Sequence, residues 1–265
     1  MLYVIGRWQK QKYTKIFYKA NGKTFPVAKF YHTTIHPAYY QHVTINFPCR
    51  ITTWISHVNQ SGYWVDTNFY NRKTGELLQS SVIYVMIIDR QTRKPVRRAT
   101  KQDINELIPT SLRRTDFPEA FVAEKSTSSS ETKFHVYTAS VSPSDTDHHQ
   151  HMGNDGFMKH CLDAAASAAS TSNKSPAFDL PVSLYNIQEF SAVYAGEAMA
   201  GDIMNIKCWQ HGPYELRFKV TIKSIVVCHC KASFYSSRNS GNGETKLLSD
   251  LDSDKTKNGP LMSKL

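Results

Sequence analysis

The chain has 265 residues, 40% of them hydrophobic and 20% charged, with a formal net charge of +10. That length allows one large core or two half-sized ones, and no run of about 18 apolar residues is present to span a membrane. The basic residues are spread out without a recognition motif, which argues against nucleic acid and leaves a phosphate-rich small molecule as the fitting anionic partner.

Residues 1–42 are aromatic and basic. Their first apolar stretch is too short for a secretory signal. Asn21-Gly22 lies between two strand-like runs, Tyr13–Ala20 and Lys23–Tyr31, and predicts a hairpin. Three more strands are expected at Phe47–Val58, Gly62–Tyr70 and Leu77–Asp89, the last continuing through Arg90 to Arg97. Within it, Ser81–Ile88 is apolar on both faces, which places it beneath a helix or another subunit. Arg93, Lys94, Arg97 and Arg98, with Arg113 and Arg114, form the densest basic cluster, readable as an anion-attracting rim or as a solvated surface segment. Residues 124–132 are polar and of low complexity, as a linker would be.

The stretch from Pro143 to Phe157 concentrates chemistry as no other part of the chain does. It holds Asp145 and Asp147, His148, His149 and His151, and Gly153 and Gly156. From Asn154 to Ser170, apolar residues recur at three- and four-residue steps, the signature of a helix with one buried face. Asn154 or Asp155 is a natural N-cap, and the alanine-rich face suits close packing on a sheet. Carboxylates and imidazoles would therefore sit beside a positive helix end able to polarise a carbonyl, with backbone N–H groups near Gly153–Gly156 placed to hold its oxygen. Beyond Pro176, residues 202–210, 214–223 and Ile225–Tyr235 predict an antiparallel meander with a turn at His211-Gly212-Pro213.

Five cysteines at scattered spacing argue for a reducing compartment over a disulfide framework. Cys228 and Cys230 would share a strand face, but no second ligand pair stands at a zinc-like spacing. Three histidines and two aspartates in one short loop do not readily converge on one ion either. No metal or cofactor is expected.

The order motif, helix, Gly201-Asp202 turn and three strands resembles a hotdog domain of the thioesterase type. The string Ser144-Asp-Thr-Asp-His-His-Gln-His-Met-Gly-Asn154 resembles the Ser-Asp-x-Asp-x-Asn-Gln-His-Val-Asn-Asn signature of plant acyl-carrier-protein thioesterases and, more loosely, 4-hydroxybenzoyl-CoA thioesterases. The resemblance implies an α+β double hotdog: a first half over 1–123, reduced or truncated because no long helix precedes residue 43, a linker at 124–132, and a catalytic second half over 133–236. It implies Asp147 as the catalytic carboxylate and His151 as the residue orienting the water or the carbonyl. His149 stands where the family carries asparagine. Glu197 is the candidate for a further carboxylate before the Gly-Asp turn, with Glu189 as the alternative. Gly153 and Asn154 occupy the places of two family asparagines and, with Gly156, would contact substrate. Asp145 is expected to support the loop.

Residues 237–265 lose the hydrophobic rhythm and predict a disordered tail. It ends in Ser263-Lys264-Leu265, the tripeptide that peroxisomal import receptors read. Chance would produce that ending on the order of once in a few thousand chains. The expectation is thus a peroxisomal acyl-CoA thioesterase, with the cytoplasm as the alternative location and a homodimer possible. A non-catalytic acyl-CoA-binding hotdog and a hotdog enoyl-CoA hydratase or dehydratase are the rival readings.

Overall fold

The computed structural model describes residues 23–96, 108–118, 134–147, 150–171, 182 and 185–236. The expected hairpin arm Tyr13–Ala20, the linker 124–132 and the tail 237–265 lie outside the described residues.

Among the described residues, nine strands form one antiparallel sheet. In chain order the elements are β1 (Thr24–Ile35), a short helix α1 (Pro37–His42), β2 (Cys49–Val58), β3 (Gly62–Asn71) and β4 (Leu77–Asp89). A 3-10 turn at Thr110–Leu112 and strand β5 (His135–Ser140) follow, then a second 3-10 turn at Pro143–Asp145. The long helix α2 (Asn154–Thr171) precedes β6 (Ile187–Tyr194), β7 (Ile203–Gly212), β8 (Glu215–Ile222) and β9 (Ile225–Phe234). The spatial order is β2-β3-β4-β1-β6-β9-β8-β7-β5. The antiparallel sheet with a long helix agrees with the α+β expectation.

The core lies between α2 and the β6–β9 part of the sheet. Alternate residues of β8, Leu216, Phe218, Val220 and Ile222, are buried while their neighbours are not, the period-2 pattern of a strand with one covered face. Phe157, Cys161, Ala164 and Ala165 of α2 join them, and the last three are at most 1% exposed. Alanine there lets the helix axis approach the sheet closely, as its composition predicts. Cys228 and Cys230 share this core face, their Sγ atoms 3.4 Å apart. Burial pushes the nearby Cys208 thiol up to about 12, so it stays protonated in the core.

The strand expected at Lys23–Tyr31 is longer: β1 runs to Ile35 and sits mid-sheet, pairing with β4 along its length and with β6 over Phe30–Thr34. The three strands after it fall within two residues of the expected bounds. The expected continuation through Arg97 does not occur: β4 ends at Asp89, whose carboxylate accepts the N–H groups of Gln91 (3.0 Å) and Thr92 (2.7 Å) and turns the chain back. The end of the apolar run of β4 is covered by the returning chain. Ile87 packs with Val58 and Ile108, flanked by Val96 and Leu112.

Candidate active site

The Pro143–Phe157 segment is organised by Asp145. Its side chain, 6% exposed, accepts hydrogen bonds from Lys159 Nζ (2.9 Å) and the Ser142 N–H (3.2 Å), and faces His160 Nε2 at 3.1 Å. Lys159, foremost, then His160 and the Ser142 N–H hold the Asp145 carboxyl down at about 2, against the opposing effect of burial. Asp145 thus supports the loop, as expected, but through two side chains of α2 as well as through backbone.

The same residue reaches the start of the helix through its carbonyl, which accepts the Gly153 N–H at 3.3 Å. The Gly153 carbonyl in turn accepts the Phe157 N–H at 3.3 Å, the first bond of α2. Gly153 is therefore the N-cap, not Asn154 or Asp155, and its N–H is engaged with Asp145 instead of facing a substrate oxygen. At Gly156 the constraint is space: a Cβ would lie 2.6 Å from Met152 Cγ and 3.3 Å from the Asp145 carbonyl, so only glycine lets the first turn press onto the loop.

Asp147 and His151 close a tight loop. The Asp147 N–H donates to the His151 carbonyl (2.9 Å), and the Asp147 carboxylate accepts the His151 N–H (3.1 Å). Gln150, with φ 64°, takes the left-handed conformation this reversal needs. His148 and His149 lie outside the described residues. Among the described residues no three His, Cys, Asp or Glu side chains gather as a metal site would require.

A second loop, 196–202, is stitched to the first. Met152 donates to the Ala198 carbonyl (2.8 Å) and Ala200 to the Gln150 carbonyl (3.2 Å), while Asp202 Oδ2 accepts the Met199 N–H (2.8 Å). Gly201, at φ 87°, makes the expected Gly-Asp turn into β7. This stitching brings Glu197 to the motif: its Oε2 lies 3.9 Å from His151 Nε2. Both side chains are about one-third exposed, at 33% and 30%, so the pair is open to a reactant. Of the two candidate carboxylates, Glu197 joins the cluster. Glu189 does not: it pairs with Thr34 on β1, at least five residues or about 17 Å along β6 from the end that leads to Glu197.

Arg93 is the residue the sequence did not assign to this site. Its Nη2 donates to Glu197 Oε2 at 3.1 Å, across 104 residues of chain. The rest of the expected basic cluster does not converge with it. Arg113 Nε donates to the Ile108 carbonyl, Arg114 pairs with the buried Asp66, and Arg97 and Arg98 lie outside the described residues.

A cavity of about 640 Å³ lies elsewhere, lined by His32, Asp66, Ser191 and Lys231 and roofed by Arg114 and Phe117. His32, Ser191 and Lys231 form one cross-strand row. Their chain neighbours Thr33, Phe190 and Ala232 form the row that faces the α2 core. Directly paired residues share a sheet face, so the cavity opens on the side away from the helix. Burial lowers the His32 imidazole below its ordinary value, with its ring nitrogens 2.8 Å from Ser191 Oγ and 3.3 Å from Thr34 Oγ1. The lining is amphipathic: Trp54, Leu77, Val82 and Phe117 stand beside these charged and polar groups.

No family model matches the chain, and no curated protein is similar to it in sequence. Solved structures are similar in fold. An acyl-ACP thioesterase from Bacteroides thetaiotaomicron matches at 17% identity and TM-score 0.54, covering 80% of this chain and 77% of that one. The 12:0-ACP thioesterase from Umbellularia californica matches at 13% identity and TM-score 0.58, covering 80% and 76%. The chain therefore has a hotdog fold like theirs.

The Asp145 contacts carry a pH signature. Its folded-state value of about 2 lies below the ordinary 3.8, so the stabilisation is fully present above about pH 4 and is lost as pH falls through 2. Asp145→Asn should lower unfolding free energy at pH 7 by about 1–3 kcal/mol, and the gap to wild type should narrow as pH drops from 4 toward 2. Urea denaturation at several pH values checks this, and a gap independent of pH would contradict it.

Proposed function

We propose that this protein hydrolyses a fatty acyl thioester, with coenzyme A as the carrier. The observation that carries the reading is the meeting of Asp147, His151 and Glu197 beside the N-terminus of α2, on a fold that acyl-ACP thioesterases share. Asp147 acts as the carboxylate that takes a proton from water, or attacks the carbonyl itself. His151 orients the water or the carbonyl, with Glu197 fixing the imidazole from its Nε2 side. His149, between them in sequence, is proposed as a further hydrogen-bond donor to the reacting groups.

The positive end of α2 favours the negative charge that grows on the carbonyl oxygen. Since the Gly153 N–H is already engaged, the first turn, Asn154 to Gly156, is assigned that contact. The new C–O bond forms from water, the C–S bond breaks, and the leaving thiolate takes up a proton, giving free acid and thiol.

The sheet is read as two hotdog units. β4, β3 and β2 extend from β1 as β9, β8 and β7 extend from β6, while β5 and α2 have no counterpart in the first unit among the described residues. On the helix side of the sheet the first unit presents Thr53, Thr67 and Ser81 in one cross-strand row, and Ile55, Val65 and Ile83 in the next. That half-apolar face is proposed to take the acyl chain.

Thiol release from palmitoyl-CoA tests the hydrolysis. Asp147→Asn should reduce turnover by about 100-fold or more while the urea midpoint stays near wild type. Binding of palmitoyl-CoA without thiol release would favour a non-catalytic acyl-CoA-binding module, and hydration of an enoyl-CoA would favour a hydratase.

The choice of coenzyme A over carrier protein rests on Ser263, Lys264 and Leu265, proposed as a peroxisomal address. An N-terminal fluorescent fusion should collect in peroxisomes, and deletion of Leu265 should leave it in the cytosol. A cytosolic intact fusion would remove the support for coenzyme A.

A further inference from the structure

The hairpin that follows β4 is built around one carboxylate and one left-handed residue. Asp89 Oδ1 accepts three hydrogen bonds, from the N–H groups of Gln91 and Thr92 and from the Thr92 hydroxyl (3.1 Å). These bonds, chiefly those from Thr92, hold the Asp89 carboxyl below its ordinary value, so the turn keeps its anion. The Asp89 carbonyl accepts the Arg93 N–H at 2.9 Å, and the Asp89 N–H donates to the Lys94 carbonyl at the same distance. The hairpin is also tied to β1, because Arg90 N–H donates to the Lys23 carbonyl at 2.8 Å.

Arg93 itself has φ 57°, a conformation that costs a residue with a side chain of order 1 kcal/mol or more. Its guanidinium lies 5.1 Å from the centre of the Phe25 ring on β1, within cation–π range. From there Nη2 meets Glu197 Oε2 at 3.1 Å, the same oxygen that faces His151 Nε2 at 3.9 Å.

Stability does not explain this arrangement. Arg93 is 55% exposed, and an ion pair so wet is worth about 0.2–1 kcal/mol, no more than the backbone conformation costs. What the contact does achieve is geometric. A carboxylate on a loop can turn either oxygen outward, and a guanidinium fixed by a hairpin and an aromatic ring leaves Oε2 one place to be.

We propose that Arg93 is a positioning residue for the candidate active site: supplied by the first half of the chain, it holds Glu197 Oε2 against His151 and so fixes the imidazole that Asp147 works beside. This rests on the hydrolase reading. It makes the β1–β4 half a contributor to the reaction and not only the bed for an acyl chain. Arg93 would act through Glu197 alone, without touching the reacting atoms.

The test is a double-mutant cycle on kcat and KM for palmitoyl-CoA, using wild type, Arg93→Ala, Glu197→Gln and the double variant. Arg93→Ala should lose roughly tenfold to a hundredfold in kcat, with KM little changed. In the Glu197→Gln background the same substitution should cost nothing further, since the carboxylate through which it acts is gone. Added guanidinium should restore part of the Arg93→Ala rate and none of the double variant's. A wild-type rate in Arg93→Ala overturns the proposal, and so does an equal loss in both backgrounds. A rise in KM at constant kcat also overturns it, by showing that Arg93 grips substrate instead. Absence of thiol release by the wild type is a separate outcome: it removes the hydrolase reading, and Arg93's role falls with it.

Discussion

The antiparallel pairing of β1 with β6 is the contact on which the rest of the structure depends. Five residues of each strand, Phe30–Thr34 and Glu189–Val193, lie opposite one another and turn two groups of strands into one sheet. Register here is not free. Shifting β1 by one residue would exchange Thr33, which continues the buried Phe190 row, for His32 or Thr34, and would push a polar row into the α2 core. The same register fixes where the two strand ends go. β4, locked to β1 along its length, ends in the Arg93 hairpin; β6 ends in the loop carrying Glu197. Those two ends meet only because β1 and β6 pair as they do.

Around that meeting point the chemistry is arranged by short-range bonds. Asp145 is spent on structure: with Lys159, His160 and Ser142 it pins the motif to the first turns of α2. Asp147, two residues on, is exposed and accepts the His151 backbone N–H. The buried anion and the candidate reactive anion are two residues apart, Asp145 at the end of the 3-10 turn and Asp147 in the exposed loop that follows it. The loop carrying Glu197 has no motif of its own. It is held by hydrogen bonds to Gln150 and Met152, so the site is one knitted object and not two loops that happen to touch.

Much of this was readable from the chain. The alternation in residues 203–234 and the three- and four-residue spacing after Asn154 are local signals, and β7–β9 and α2 follow them. The helix cap was misplaced by one residue because glycine competes with asparagine at that position, and only the Gly153–Phe157 bond decides between them. The neighbours of β1 leave no local signal for a different reason: they are set by residues far off in sequence, here near 80 and near 190. Arg93 was visible only as one cation in a basic run. Its pairing with Glu197 depends on the β1–β6 register and on a turn that Asp89 closes, and neither leaves a sequence pattern.

Placing the reaction at this seam is the central claim, and a crystal structure with a thioether analogue of palmitoyl-CoA, which cannot be hydrolysed, tests it most directly. The account predicts the sulfur beside Asp147 and His151 at the start of α2, the alkyl chain on the helix-side face of β1–β4 near Thr53 and Val65, and Arg93 still on Glu197. An analogue seated instead in the cavity of His32 and Lys231, with the Asp147 loop empty, would contradict it.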